Sequence, residues 1–88
     1  MRLDVWLWRA RFYKTRGQAH DAVATLGARI ERDGLVRRVD KGATQVEVGD
    51  LVNFTTPAGV RVVEVLALPQ RRGPAKEAAT AYRTLGAD

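Results

Sequence analysis

Apolar residues near the start of the chain repeat at helical spacing. One set falls at positions i, i+3, i+4 and i+7, on a single helix face, and consists of Leu3, Trp6, Leu7 and Ala10. A second set falls on roughly the opposite side and consists of Val5, Trp8 and Phe12. A short surface helix with two apolar faces needs another element to cover the second face. We expect both Trp side chains to belong to the core rather than to stack on bases.

The pattern predicts a second helix from Arg16 to about Leu26. Thr15 followed by Gln18 has the form of a capping box, in which the Thr hydroxyl accepts a hydrogen bond from the backbone of Gln18. Gly27 is placed to end this helix. The expected buried stripe consists of Ala19, Ala22, Val23 and Leu26.

After Gly27 the pattern changes to that of strands. Residues 29–32 and 35–39 flank Asp33-Gly34, a dipeptide typical of tight hairpins. Residues 51–55 and 60–68 predict a second hairpin, and Pro69 stops its last strand. Residues 70–74 form a basic linker, after which the spacing of three apolar residues predicts a third helix from residue 75 to residue 85, ended by Gly86. Those residues are Ala78, Tyr82 and Leu85.

These elements make an α+β fold: two helices, a small and mostly antiparallel sheet, and a C-terminal helix. We expect residues 1–68 to form the domain and residues 69–88 to form a basic linker and a helix that packs back on it. Tyr82 and Leu85 are expected to pack near Trp8 and Phe12, covering the second apolar face of the first helix.

The amount and distribution of charge indicate which class of partner the protein binds. The net charge is +5, with 12 Arg and 3 Lys. Residues 1–45 carry a net charge of +5, residues 46–70 carry −2 and residues 71–88 carry +2. Arginine binds phosphate bidentately, and the uneven distribution favours a polyanionic partner, above all nucleic acid.

Basic residues crowd around the turn between the first two helices. Their position next to the exposed N–H groups of the second helix is one where a phosphate would bind. Each could also be a solvated side chain paired with Asp4 or Asp21. Since Arg37 and Arg38 point to opposite faces of a strand, at most one of them lies on this surface. The basic residues that could contact a nucleic acid here are Arg2, Arg9, Lys14, Arg16, Arg37 and Lys41.

The composition argues against an enzyme. The chain has no cysteine, no serine and one histidine, His20, so an activated nucleophile beside a base is hard to assemble. No metal-ligand spacing or Gly-rich phosphate loop is present, and we predict no catalytic residue, no metal and no cofactor. No apolar run is long enough to span a membrane. The expected location is the cytoplasm.

Several segments resemble known families. Residues 2–7, 14–19, Asp33-Gly34 and 48–50 look like the alpha-L RNA-binding domain, named after ribosomal small-subunit protein four. Residues 3–16, which contain both Trp residues, and residues 70–78, with Arg-Arg-Gly-Pro, are similar to the heat-shock protein 15 family. Arg32 stands where that pattern has an apolar strand residue, and His20 stands where it usually has Arg.

The resemblance implies a small RNA-binding protein that engages ribosomal RNA, and tRNA, on large ribosomal subunits still carrying a nascent chain. By position, it implies RNA contacts at Arg2, Lys14, Thr15, Arg16, Gln18 and His20. It also implies a role in ribosome rescue, with a ribosome quality-control factor as a further partner. We expect a monomer. The alternatives are an RNA-binding accessory in ribosome assembly or RNA modification and, from another class, a helix-turn-helix DNA-binding protein.

Overall fold

The computed structural model describes residues 1–85 and contains three helices and five strands. The strands form one antiparallel sheet in the order β2-β1-β3-β4-β5. The predicted α+β class is confirmed. In chain order the elements are α1 (Leu3–Arg9), α2 (Arg16–Leu26), β1 (Ala28–Arg32), β2 (Leu35–Val39), β3 (Leu51–Thr56), β4 (Gly59–Val65), α3 (Ala75–Ala78), a 3₁₀ turn (Ala79–Ala81) and β5 (Tyr82–Thr84).

Helix α1 is shorter than its apolar pattern suggests. It ends at Arg9, and Arg11 then adopts a left-handed conformation with φ of 67°. The chain turns there, so Phe12 is not part of a second helix face. Its ring instead returns to the core, with its centroid 4.8 Å from that of Phe54.

Helix α2 has the predicted bounds and caps. The Thr15 hydroxyl accepts a hydrogen bond from the Gln18 backbone N–H at 3.0 Å, and Gly27 follows the helix with φ of 74°. Ala19 and Val23 are buried as expected. Leu26 was expected in the buried stripe, but it is 56% exposed.

Both predicted hairpins are present. Asp33 and Gly34 have φ of 53° and 79° between β1 and β2, the two left-handed residues that a type I′ turn requires. The hairpin of β3 and β4 closes with Thr56 opposite Gly59. Strand β4 ends at Val65, three residues before the predicted end.

The predicted C-terminal helix is correct only in its first turn. Helix α3 ends at Ala78, and the chain then passes through the 3₁₀ turn into β5, which pairs with β4. Without β5, the backbone groups of β4 on that side would form an unpaired sheet edge. Three apolar residues in eleven make only a weak helical stripe. The segment therefore forms a strand that pairs with the edge of β4 instead of continuing as a helix. The expected stop at Gly86 lies outside the described residues.

The segment from Pro69 to β5 lies against α1. The Phe12 and Tyr82 ring centroids are 4.5 Å apart, which is the contact expected for this pair. Trp8 is covered differently, because the Arg72 guanidinium lies 5.8 Å from its ring centroid. A charged side chain thus packs on Trp8, and the Leu85 N–H donates to the Val62 carbonyl of β4 at 2.9 Å.

The core lies between α1, α2 and one face of the sheet. Its largest fully buried side chains are Trp6, Phe54, Leu3, Leu7, Ile30 and Val23. Adjacent strands place Arg38, Arg29, Asn53 and Val62 in one row. Arg29 alternates with buried Ala28 and Ile30, so this row lies on the other face of the sheet.

Candidate nucleic-acid interface

A buried carboxylate organises the start of α1. Asp4 is 1% exposed. Its two oxygens accept hydrogen bonds from Arg2 Nε at 3.1 Å and Arg2 Nη2 at 2.9 Å, and His20 Nδ1 lies 3.3 Å from Oδ2. Burial by itself raises the pKa of Asp4, but the hydrogen bonds with Arg2 and His20 outweigh it and hold the pKa below its usual range. The charged carboxylate therefore fixes side chains from two elements in one place.

The loop between β2 and β3 packs directly against Asp4. The Asp4 N–H donates to the Gly42 carbonyl at 3.1 Å, and the Leu3 N–H donates to the Thr44 carbonyl at 2.8 Å. A Cβ on Gly42 would lie 2.6 Å from Asp4 Oδ2, so only glycine fits there without a shift. Lys41, which is exposed, immediately precedes this contact.

The basic turn continues the same surface along α2. Arg16 and His20 are four residues apart and so lie on the same side of the helix. A continuous line therefore runs from Arg2 through His20 to Arg16. Lys14 and Gln18 are exposed beside it, and Thr15 caps the helix. Lys14 and Arg16 flank Thr15 at the start of α2, where the first-turn N–H groups other than that of Gln18 have no intrahelical partner.

A second buried carboxylate explains the unexpected charge in β1. Asp50 is 1% exposed, and its oxygens accept hydrogen bonds from Arg32 at 2.8 and 2.7 Å. Burial alone would raise the pKa of Asp50, but the hydrogen bonds from Arg32 and from the Glu47 N–H hold it below its usual range. Arg32 is thus a partner of Asp50 rather than a misplaced apolar position.

Arg37 lies on the helix-bearing side of the sheet, opposite Ile30. Its charge also lowers the pKa of Asp50. Arg32 reaches the Gln45 carbonyl at 3.4 Å, and Gln45 forms a β-bridge with Arg2. The two carboxylate clusters therefore meet at the loop between β2 and β3.

Arg9 is separate from the other candidate residues. It donates from Nη1 to the Pro69 carbonyl at 2.9 Å, and its Nε is buried without a hydrogen-bond partner. Arg11 similarly donates to the Gly73 carbonyl at 2.6 Å. The structure thus directs both side chains toward the C-terminal segment, whereas Arg2 faces Asp4.

Arg72 makes the reciprocal contacts. It donates to the carbonyls of Trp8 at 3.0 Å and Tyr13 at 3.2 Å. Trp8 lies in the last turn of α1, where the carbonyls carry partial negative charge and favour a neighbouring arginine, whereas Tyr13 lies beyond that helix. The sequence suggested that residues 70–74 were an exposed basic linker, and its charges gave no sign of these backbone partners.

Two structural features are absent from residues 1–85. Within that range, there is no group of three or more His, Asp or Glu side chains placed to hold a metal ion. The helices of the same range are all too short or too polar to cross a membrane.

Sequence comparison finds similar proteins over most of the chain. Heat shock protein 15 of Escherichia coli K12 is 37% identical over 82 residues, which is 93% of this chain and 58% of that protein. The Aeromonas salmonicida homolog gives the same identity and coverage. The Haemophilus influenzae homolog is 32% identical over 83 residues, 94% of this chain and 60% of that protein. The chain thus spans less than two thirds of these relatives. No protein-family model matches it.

Structure comparison extends the match. The trimeric structure of Vibrio cholerae heat shock protein 15 aligns with a TM-score of 0.80 and 31% identity, covering 98% of this chain and 82% of that one. The fold is consistent with the alpha-L type. The expectation of a monomer finds no support in this comparison, because the Vibrio protein is described as a trimer. With 31% identity over 82% of that relative, the chain belongs to the heat shock protein 15 family.

Proposed function

We propose that this protein binds structured RNA through the helical basic surface, which we define as Arg2, Lys14, Arg16, His20 and Lys41. The arrangement around Asp4 supports the proposal most strongly. The carboxylate holds Arg2 and His20 in line with Arg16 instead of leaving them to move freely in solvent. Asp4 accepts hydrogen bonds from two of the guanidinium nitrogens of Arg2, and the remaining N–H groups are available to a phosphate.

The geometry favours folded RNA as the ligand. Structured RNA is recognised largely by shape and by contacts to its backbone, which a basic surface anchored at Asp4 can provide. A helix-turn-helix DNA-binding protein would instead read base edges from its second helix. The exposed positions of α2 offer few side chains for that task beyond Gln18, His20 and Asp21.

The biological setting that we propose follows the family. The named relatives are heat shock proteins, and the resemblance of residues 3–16 and 70–78 implies work on large ribosomal subunits that carry a stalled nascent chain on tRNA. We propose ribosome rescue in the cytoplasm, with ribosomal RNA and tRNA as ligands, a quality-control factor as a further partner and no catalytic activity. An accessory role in ribosome assembly or RNA modification is the alternative.

Binding can be tested with a folded RNA and a DNA duplex of equal length over a range of salt concentrations. We expect tighter binding to the RNA and a steep loss of affinity with salt, because basic side chains displace counterions from phosphates. Replacing Lys14 and Arg16 together by Ala should reduce the slope of log affinity against log salt by about two.

Arg71→Ala is the matched control, since the Arg71 side chain is 70% exposed and paired with Glu77 on the C-terminal segment. It should leave RNA affinity nearly unchanged. Equal affinity for RNA and DNA, or an equal loss in the control, would count against the proposal.

Sedimentation with ribosomes separates the two biological settings. Large subunits that carry a peptidyl-tRNA and empty large subunits are incubated with the protein and fractionated. Immature large subunits form a third sample. Ribosome rescue predicts enrichment on the subunits with peptidyl-tRNA, whereas enrichment on the immature subunits supports the assembly role.

A further inference from the structure

An open groove of about 650 Å³ lies between α2 and the β3–β4 hairpin. Its volume is in the range of ligand-binding clefts, and most of its surface is apolar, as in such clefts. Leu26, which the sequence placed in the core, is exposed here. The apolar lining consists of Phe12, Tyr13, Ala22, Leu26 and Pro57.

The groove begins at the helical basic surface. Lys14 belongs both to that surface and to the groove lining, and Gln18 and Asp21 also line the groove. Gln18 can donate and accept hydrogen bonds, and the Asp21 carboxylate accepts them. An apolar cleft with a few such polar groups suits the flat face and polar edge of a nucleobase.

At its other end the groove joins a smaller polar cavity. The two cavities share Leu26 and Thr55, and the smaller one is also lined by Arg29, Arg38 and Asn53. Arg29 and Arg38 are directly opposite each other on β1 and β2. Like charges in that position repel each other and destabilise a sheet.

Glu31 lies two residues from Arg29 on the same face of β1 and lines a neighbouring cavity with it, but neither Arg29 nor Arg38 forms an ion pair within 4.0 Å in the described part of the chain. The ion pairs found among residues 1–85 involve other arginines and His20. Asn53 on β3 is the next residue in the same row. Two guanidinium groups and an amide at one end of an apolar groove are complementary to a phosphate.

We propose that the groove and the arginine pair together bind an unpaired stretch of RNA. A nucleobase occupies the apolar groove, one neighbouring phosphate faces Lys14, and another lies on Arg29 and Arg38. Proteins bind single strands through this combination of an apolar or aromatic platform and a basic track. The inference rests on the proposed RNA binding and adds a single-stranded segment to the ligand.

The test measures affinity for three forms of one RNA stem-loop: blunt, with a short single-stranded extension, and with the same extension lacking its bases. Extensions are tried at the 5′ and at the 3′ end. The wild-type protein should bind one of the base-containing forms at least about fivefold more tightly than the blunt form, since stacking of even one base contributes that much. The form without bases should show a smaller gain, from its phosphates alone.

Two variants separate the contributions. Leu26→Gln should remove the part of the affinity gain that depends on the bases of the extension. The double variant Arg29→Gln with Arg38→Gln should remove the smaller affinity gain that the extension without bases gives. The matched controls are Leu35→Gln, at a residue that is 73% exposed on β2, and Arg71→Gln. All variants should bind the blunt stem-loop like the wild type, which also shows that they are folded.

The outcomes distinguish this inference from the proposed function. Equal wild-type binding of blunt and extended stem-loops would overturn the inference and leave RNA binding intact. The inference would also be overturned if a control variant lost the affinity gain as fully as the groove or arginine-pair variant to which it is matched. If the wild-type protein bound none of the three forms, both proposals would fail.

Discussion

The contact between Gly42 and Asp4 gives the sharpest prediction about stability. Gly42→Ala adds one methyl group at a buried position. The new Cβ would lie 2.6 Å from Asp4 Oδ2 and 2.9 Å from both Cβ and Cγ of the same residue. Asp4 has little freedom to move away, because Arg2 and His20 hold its carboxylate and the Gly42 carbonyl accepts from its N–H.

The magnitude follows from two opposing effects. Overpacking of a well-filled site costs about 1–3 kcal/mol, and three close contacts with a held side chain place this case near the upper limit. Replacing glycine also reduces the conformational entropy of the unfolded chain, which stabilises the folded state by about 0.4–1 kcal/mol. We therefore expect a net loss of about 2 kcal/mol. In a domain of this size the Tm should fall by roughly 8–16 °C.

Urea denaturation followed by circular dichroism measures the effect directly. Gly17→Ala is the matched control: Gly17 is exposed in the first turn of α2, and the nearest atom to its added Cβ would be Thr15 Oγ1 at 3.9 Å. Alanine is the better helix former, so this variant should be more stable than the wild type by about 0.5–1 kcal/mol. The same substitution thus has opposite signs at the two sites.

A double-mutant cycle identifies the cause. Asp4→Ala removes two of the three atoms that crowd the new methyl group at Gly42, so the cost of Gly42→Ala should fall by about 1 kcal/mol in that background. A Gly42→Ala variant within about 0.5 kcal/mol of the wild type would refute this reasoning. An unchanged cost in the Asp4→Ala background would show that the strain lies elsewhere.

Two further predictions concern pH and the C-terminal segment. The folded-state pKa values of Asp4 and Asp50 are depressed. Their contribution to the stability of the folded protein is therefore complete above the unfolded-state pKa, and it is lost as pH falls through the folded-state pKa values. The free energy of unfolding should therefore decline below about pH 5. Urea titrations of Asp50→Asn should show a shallower decline with falling pH than the wild type. A decline as steep as that of the wild type would contradict this prediction. Arg72→Ala removes one hydrogen bond to the Trp8 carbonyl in α1 and one to the Tyr13 carbonyl in the turn before α2. It should cost about 1–2 kcal/mol, with faster hydrogen exchange in residues 78–85. Exchange at the wild-type rate there would show that Arg72 does not hold the segment.

The sequence alone was sufficient for features that depend on a few consecutive residues. Helix α2 begins after Thr15 and ends before Gly27, as its caps require. The Asp33-Gly34 turn follows from the left-handed conformations that these residues tolerate. The crowding of arginine and lysine around the first turn is likewise visible in the sequence, and that these residues bind RNA stays a prediction.

The tertiary structure decided which partner each of these residues has. Arg9 and the Pro69 carbonyl are 60 residues apart in the chain, and Arg32 and Asp50 are 18 apart, so no local pattern could reveal these contacts. The C-terminal segment is a strand after Ala81 because β4 offers it an edge, although its own spacing favours a helix. Helix caps and tight turns are set by dihedral preferences within a few residues, whereas the partners of charges and strand edges are known only once distant segments have packed together.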